Sequence, residues 1–200
     1  MSKPLDIIDR SVVYDGFFSL EKIRLRHGLF AGGMSSEITR ELFRRGRVAA
    51  VLPYDPGLDA VVLVEQFRIG AMEASAGAWL LETVAGYAES DEPVDAVARR
   101  EAAEEADLEL QELRRVCDYY PTPGASSELV SLFCARVDAS AAGGVHGLYH
   151  EGEDIQVHLV PFEEAMDLLA NGAINSAMPI IALQWLALHR EELRDLWLDD

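Results

Sequence analysis

The sequence predicts a mixed α+β sandwich. Three observations point to it. The elements run as strands, one helix, more strands and then helices, with no repeating βαβ period. Two β-branched runs, VAAVLPY and AVVLVEQFR, flank a Pro-Gly turn. A single amphipathic segment, SDEPVDAVARREAAEEA, separates them from the later strands. The chain is large enough for such a core: 200 residues and 22.0 kDa slightly exceed one average domain. A chain of that size buries roughly 70% of its unfolded surface.

The first part, Ser11 to Arg45, reads as short strands: SVVYDGFFSL, EKIRLRH and SSEITRELF. In EKIRLRH, Ile23 and Leu25 alternate with Lys22, Arg24 and Arg26, the period-two signature of a half-covered strand. This piece is too small to make a core alone, so it must pack on the rest of the chain or on another copy. The expected division is therefore an N-terminal β-sheet segment, residues 1–46, and a main domain, residues 47–200.

From Val48 the pattern becomes more apolar. VAAVLPY, the turn DPGLD and AVVLVEQFR form a hairpin, and WLLETVAG reads as a third strand ending at Gly86. In the helix, Pro93 stands in the first turn, and the apolar Val94, Val97 and Ala98 fall at i, i+3 and i+4 with the acids elsewhere. RRVCDYY, ELVSLFCARV and IQVHLVPF read as further strands. FEEAMDLLANG is a helix stopped by Asn171-Gly172, and SAMPIIALQWLALHREEL is a terminal helix. Trp79, Trp185 and Trp197 read as packing residues.

Charge narrows the function. Lys+Arg 17 against Asp+Glu 35 leaves a net charge of -18, which repels a phosphate backbone and argues against nucleic-acid partners. An anionic substrate would need a local reversal of the field, for which bound divalent cations are the usual solution. No run approaches the ~18 apolar residues of a membrane span, and MSKPLDIIDR lacks a signal-peptide apolar stretch. Cys117 and Cys134 sit beside apolar or aromatic neighbours, as reduced thiols do. The expectation is a cytoplasmic protein with no membrane partner.

The helix carries a distinctive set of acids. Glu101, Glu104 and Glu105 lie at i, i+3 and i+4, so the three carboxylates share one face. Clustered oxygen donors suit a hard ion such as Mg²⁺, which takes a few carboxylates and keeps waters and substrate phosphates. A solvated acidic face partnered by Arg99 and Arg100 explains REAAEEA equally well when the helix is taken alone.

Spacing around the helix adds information. Gly86, Glu92, Arg100-Glu101 and Glu104-Glu105 stand as in the Nudix box, G-x5-E-x7-R-E-U-x-E-E-x-G-U with U aliphatic. Six of its seven fixed positions match; Asp107 replaces the last Gly, and Ala102 is small for an aliphatic position. Asp107 replaces no ligand, so the expected effect is modest local strain at a position where positive φ is plausible. The segments GFFSL, LFAGGMSSE, VEQFRIGA, WLLETVAG, TPGASSE, HGLYHEGEDI and IALQWL extend the likeness over almost the whole chain. The sequence resembles the bacterial ADP-ribose pyrophosphatase branch of the Nudix family. That resemblance implies an α/β/α sandwich with a mixed sheet, plus a small antiparallel N-terminal sheet.

The resemblance also implies cleavage of ADP-ribose to AMP and ribose 5-phosphate with Mg²⁺ or Mn²⁺, more than one ion per subunit. It implies a homodimer with exchanged N-terminal sheets. Glu101 and Glu105 are then metal ligands, joined by the Ala85 carbonyl and by Glu153. Glu104 assists through waters, Arg100 holds a neighbouring Glu, and Glu92 is its partner or an outer acid. Glu151, in the loop HGLYHEGEDI, is the implied general base; on its own that stretch reads as a solvated acidic loop. Glu128 is a rival base, placed instead near the terminal ribose with the backbone of Thr122, Pro123 and Gly124.

For the nucleotide, Phe17 or Phe18 would stack on adenine, although Phe18 reads equally well as core. Arg40, Glu41 and Arg45 would contribute from the neighbouring chain, Arg68 would meet phosphate or adenine, and Tyr87 would contact substrate. His150 and His158 form no spaced pair with another ligand and read as surface or core residues. Two alternatives share the motif: hydrolysis of another nucleoside diphosphate sugar such as GDP-mannose or ADP-glucose, and a non-catalytic ADP-ribose sensor. The sensor is disfavoured by the intact glutamates and by a C-terminus, DLWLDD, without a basic cluster. RNA cap removal is disfavoured by the net charge.

Overall fold

The computed structural model describes residues 3–89 and 91–198, with the side chain of Glu151 outside the described part. The chain divides into two units, Met1–Arg47 with Tyr120–Leu129, and Val48–Tyr119 with Val130–Asp200. The first unit is an antiparallel sheet in the order β1 (Leu5–Asp15), β2 (Ser19–His27), β3 (Ile38–Arg44). SVVYDGFFSL is therefore not one strand. β1 begins at Leu5, and the chain reverses where Gly16 N–H donates to the Phe18 carbonyl at 3.1 Å, so Ser19 and Leu20 already belong to β2. SSEITRELF is likewise shorter, since pairing with β2 starts only at Ile38. Residues 120–129 join this unit through β3: Phe43 N–H donates to the Ala125 carbonyl at 2.8 Å, and Ser127 N–H to the Phe43 carbonyl at 3.1 Å. Ile23 is its only buried large apolar side chain among the described residues, and β1 is exposed along its whole length. The expectation that this piece cannot make a core alone follows directly.

The second unit is built from β4 (Arg47–Asp55), β5 (Ala60–Phe67), β6 (Trp79–Glu82), β7 (Val84–Tyr87), α1 (Val94–Ala106), β8 (Leu113–Tyr119), β9 (Leu129–Arg136), β10 (Gly144–His146), β11 (Ile155–Pro161), α2 (Phe162–Ala170) and α3 (Ala177–Leu198). The strand order is β10-β11-β5-β4-β9-β8, with β6 on β5 and β7 on β4. Neighbours such as β11 and β5, or β8 and β9, pair antiparallel. β4 and β9 end side by side, where Val137 N–H donates to the Tyr54 carbonyl at 3.1 Å, so they run parallel and the sheet is mixed.

Period two builds both layers. Val48, Ala50, Leu52 and Tyr54 of β4 enter the core that holds Phe162 and Ala165 of α2 and Leu183, Leu186 and Trp197 of α3. Ala49 and Val51 enter the opposite core, against Val94, Val97, Ala98, Ala102 and Ala106 of α1. An α/β/α sandwich results, as the resemblance implies.

Three expectations change on contact with tertiary structure. WLLETVAG is two strands: β4 and β5 pair only beside their turn, at Tyr54–Val61 and Asp55–Ala60, so they splay and the run changes neighbour at the buried Thr83. Trp79 is not a packing residue; it is 62% exposed, edge-on to Phe67 at 5.5 Å, whereas Trp197 is buried beside Tyr54. The acids of α1 are not all away from its buried side, because Glu105 is only 3% exposed. β10 and the short turns Ile69–Ala71 and Tyr149–Glu151 had no periodic signal, being three residues each. α3 continues to Leu198 and is tied down at Asp59, whose carboxylate accepts hydrogen bonds from Tyr54 Oη at 2.7 Å and from Arg190 Nε at 2.9 Å and pairs with Arg194. No helix among the described residues is long and apolar enough to cross a membrane.

Candidate active site

The end of β7 and the inner face of α1 approach closely because Gly86 has no side chain. A Cβ there would lie 1.8 Å from Glu101 Oε1 and 2.0 Å from its Cδ. One turn further along the helix, Glu105 reaches the same strand, and its Oε2 accepts the Ala85 N–H at 3.1 Å. The amide of Leu148 donates to Glu153 Oε2 at 2.9 Å, fixing a third carboxylate ahead of β11. These acids sense one another. Burial pushes the Glu105 carboxyl up to about 8; the Ala85 amide opposes this, the negative Glu101 and Glu153 add to it, and Arg68 opposes it. Burial also raises Glu101, against the pull of Arg100 and with help from Glu104 and Glu153.

Arg100 organises the outer side. Its Nε donates to Glu92 Oε1 at 3.2 Å, its Nη1 to Glu101 Oε1 at 2.7 Å and Glu104 Oε2 at 3.1 Å, and its Nη2 to the Tyr87 carbonyl at 3.2 Å. Arg100 thus touches Glu92, its expected partner, and Glu101, the neighbour it was expected to hold. Its hydrogen bond, with a second from the Glu89 amide, lowers the Glu92 carboxyl. Glu104 engages Arg100 directly, so the three helical acids fan from buried Glu105 to the more exposed Glu104. Asp107 caps α1 in the left-handed region at φ 53° and ψ 40°, the conformation for which the box keeps Gly.

The first unit carries a second cluster. The Arg45 guanidinium lies 4.2 Å over the Phe18 ring, and its Nε pairs with Glu128 Oε2 at 2.7 Å. Ser127 clamps the Arg45 backbone, its Oγ accepting from the amide at 2.9 Å and donating to the carbonyl at 2.8 Å. Phe17 is 89% exposed, with its ring edge-on to Phe18 at 4.6 Å. Arg40 and Glu41 are exposed on β3. The Thr122 carbonyl accepts the amides of Ala125 and Ser126, turning the chain at the exposed Pro123 and Gly124. The side chain of Glu151 lies outside the described residues. His158 pairs with Glu65 at 2.8 Å, across β11 and β5.

One contact had no counterpart in the sequence reading: Arg68 Nε donates to Glu82 Oε2 at 2.5 Å. Its only signal was parity, since Glu82 stands opposite Val64 on the strand face that α1 covers.

Hard oxygen donors facing one another in a partly desolvated place fit a divalent cation such as Mg²⁺, which would offset the like-charge repulsion. Among the described residues no group of three His, Cys, Asp or Glu side chains is already closed into a cage. A cation that keeps waters and substrate oxygens does not require one.

Comparison with known proteins agrees. The NUDIX domain model matches residues 44–182. The ADP-ribose pyrophosphatase of Escherichia coli (strain K12) is 49% identical over 193 residues, covering 96% of this chain and 92% of that protein. The ADP-ribose pyrophosphatase of Haemophilus influenzae is 42% identical over 196 residues, 96% of this chain and 90% of that protein. The GDP-mannose pyrophosphatase of Shigella flexneri is 31% identical over 193 residues, 94% and 97% of the two chains. A crystal structure of an ADP compounds hydrolase superposes with a TM-score of 0.72 at 20% identity, covering 98% of this chain and 96% of that one, a likeness of fold. With a family match over most of the chain and a box whose acids, arginine and glycine touch as described, the chain belongs to the NUDIX family.

Proposed function

We propose that this chain hydrolyses the diphosphate of ADP-ribose to AMP and ribose 5-phosphate. The observation that carries the reading is the approach of Glu101 and Glu105 to Ala85 and Gly86, on a chain 49% identical to a protein named ADP-ribose pyrophosphatase. In an extended strand a residue's carbonyl projects to the same side as its amide, so the Ala85 carbonyl opens on the edge of β7 from which its N–H binds Glu105. Ala85, Glu101, Glu105 and Glu153 would hold Mg²⁺, or Mn²⁺, with more than one ion per subunit. Bound there, such cations would supply charge neutralisation of the diphosphate and polarisation of phosphorus.

The chain's own residues do the rest. Arg100 holds the carboxylates of Glu101 and Glu104. Glu151 takes the proton from the attacking water. Arg68 binds phosphate, while Tyr87, Glu128 and the backbone of Thr122, Pro123 and Gly124 line the substrate. Phe17, Phe18, Arg40, Glu41 and Arg45 of the N-terminal segment, residues 1–46, serve the nucleotide bound by the other subunit of a homodimer. Support for the dimer is β1, which leaves Leu5, Ile7, Val12, Val13 and Tyr14 exposed. The net charge of -18 supports a small-molecule substrate over nucleic acid, and reduced thiols at Cys117 and Cys134 support a cytoplasmic setting.

The test is product identification after turnover with Mg²⁺ in ¹⁸O-labelled water, alongside kcat/KM for ADP-ribose, ADP-glucose and GDP-mannose. AMP and ribose 5-phosphate with ADP-ribose ranked first is the expected result. GDP-mannose ranked first would transfer the substrate to the class of the GDP-mannose pyrophosphatase relative.

A further inference from the structure

We propose that Glu82 is a positioning residue, which holds Arg68 by its Nε so that both outer nitrogens of the guanidinium are presented to the substrate diphosphate. The inference rests on the pyrophosphatase reading above.

The geometry begins with strand parity. Val62 and Val64 of β5 enter the core under α1. Gln66, two residues on, is buried, and Arg68 continues in extended conformation at φ −123° and ψ 109°. Arg68 therefore projects to the α1 side of the sheet. Glu82 stands opposite Val64 across β5 and β6, on that same face. Its carboxylate meets Arg68 Nε at 2.5 Å, while the Arg68 amide is tied to the Ala78 carbonyl at 2.7 Å.

The two side chains differ in exposure: Glu82 is 13% exposed and Arg68 is 43% exposed. A buried carboxylate is tolerated where a cation answers it, and here the cation's far end stays open. Among the described residues, neither Arg68 Nη has a hydrogen-bond partner in the protein. A guanidinium gripped at Nε keeps two parallel N–H groups in one plane, the fork that matches two phosphate oxygens. The Arg68 charge also lowers the Glu105 carboxyl, and both side chains lie on the α1 side of the sheet. Glu82 itself does not touch substrate.

The experiment compares Glu82→Ala, Glu82→Gln, Arg68→Ala and the double alanine variant. Loss of one hydrogen bond to a charged group corresponds to roughly 10–100-fold. Glu82→Ala should lower kcat/KM by that factor and weaken imidodiphosphate binding, measured calorimetrically with Mg²⁺, by about tenfold, with Mn²⁺ affinity unchanged. Glu82→Gln, which still offers an acceptor to Nε–H, should recover most of the loss. In an Arg68→Ala background Glu82→Ala should add less than about twofold, since coupled residues are non-additive. Multiplying losses in the double variant, or imidodiphosphate affinity unchanged in Glu82→Ala, would overturn the proposal. If the wild type binds imidodiphosphate through both residues but cleaves no nucleoside diphosphate sugar, the pyrophosphatase reading fails and the positioning role stands.

Discussion

Glu101 lays its carboxylate where the side chain of residue 86 would be, with Oε1 1.8 Å from the position of an added Cβ. No left-handed φ is involved, so the glycine of the box serves close approach rather than backbone freedom. Gly86→Ala should force Glu101 from its place and lower kcat at least about tenfold, as displaced metal-site residues do. Mn²⁺ affinity measured by electron paramagnetic resonance should fall in parallel. An alanine variant with native turnover would show that Glu101 can hold the cation from elsewhere.

Glu105→Gln should abolish most activity yet leave a folded protein. The amide keeps the volume and an acceptor for the Ala85 N–H, but it cannot ionise and so offers a cation no charged oxygen beside Glu101 and Glu153. Because the Glu105 carboxyl is pushed up to about 8, metal-free Glu105→Gln should match wild type near pH 7 and, above about pH 8, melt roughly 2–4 °C higher for each kcal/mol of repulsion relieved. Added Mg²⁺ should reverse that order. Calorimetric scans with and without the cation read both effects.

Asp107→Gly should stabilise the protein by about 0.5–1 kcal/mol, because the residue sits at φ 53° and ψ 40° where glycine carries no Cβ penalty. Activity should not change, since Asp107 only caps α1. Urea unfolding monitored by tryptophan fluorescence measures the gain.

Asp59 has a carboxyl lowered to about 2 by the Arg190 hydrogen bond, with Tyr54 and Arg194 adding to it. Its free value is the higher one, so the stabilisation is complete above about pH 4 and is lost as pH falls through 2. Asp59→Asn, which tolerates the φ of 52° at this position, should lower stability at pH 7 by about 1 kcal/mol. The variant's stability should also fall less steeply between pH 4 and 2. Parallel acid titrations of the two proteins would expose a common slope if Asp59 does not anchor α3.

Val12→Asp, on the exposed β1, should convert the expected dimer to monomer in sedimentation experiments, with loss of nucleotide affinity. A wild-type monomer with tight ADP-ribose binding would contradict the shared pocket.

Local spacing by itself determined much of this protein. The apolar runs VAAVLPY and AVVLVEQFR around a Pro-Gly turn marked β4 and β5, and the spacing of Glu101, Glu104 and Glu105 placed three acids on one face of the helix. Those are properties of the 2.0 and 3.6 periods, which operate within a few residues. Only the tertiary structure decided that Glu105 is buried on the apolar side, that one apolar run divides between β5 and β4, and that Glu82 grips Arg68. It also brought Glu128 to Arg45, residues far apart in sequence. Period sets the face a residue shares; which partner covers that face depends on strand pairing across long loops, and pairing leaves no local trace.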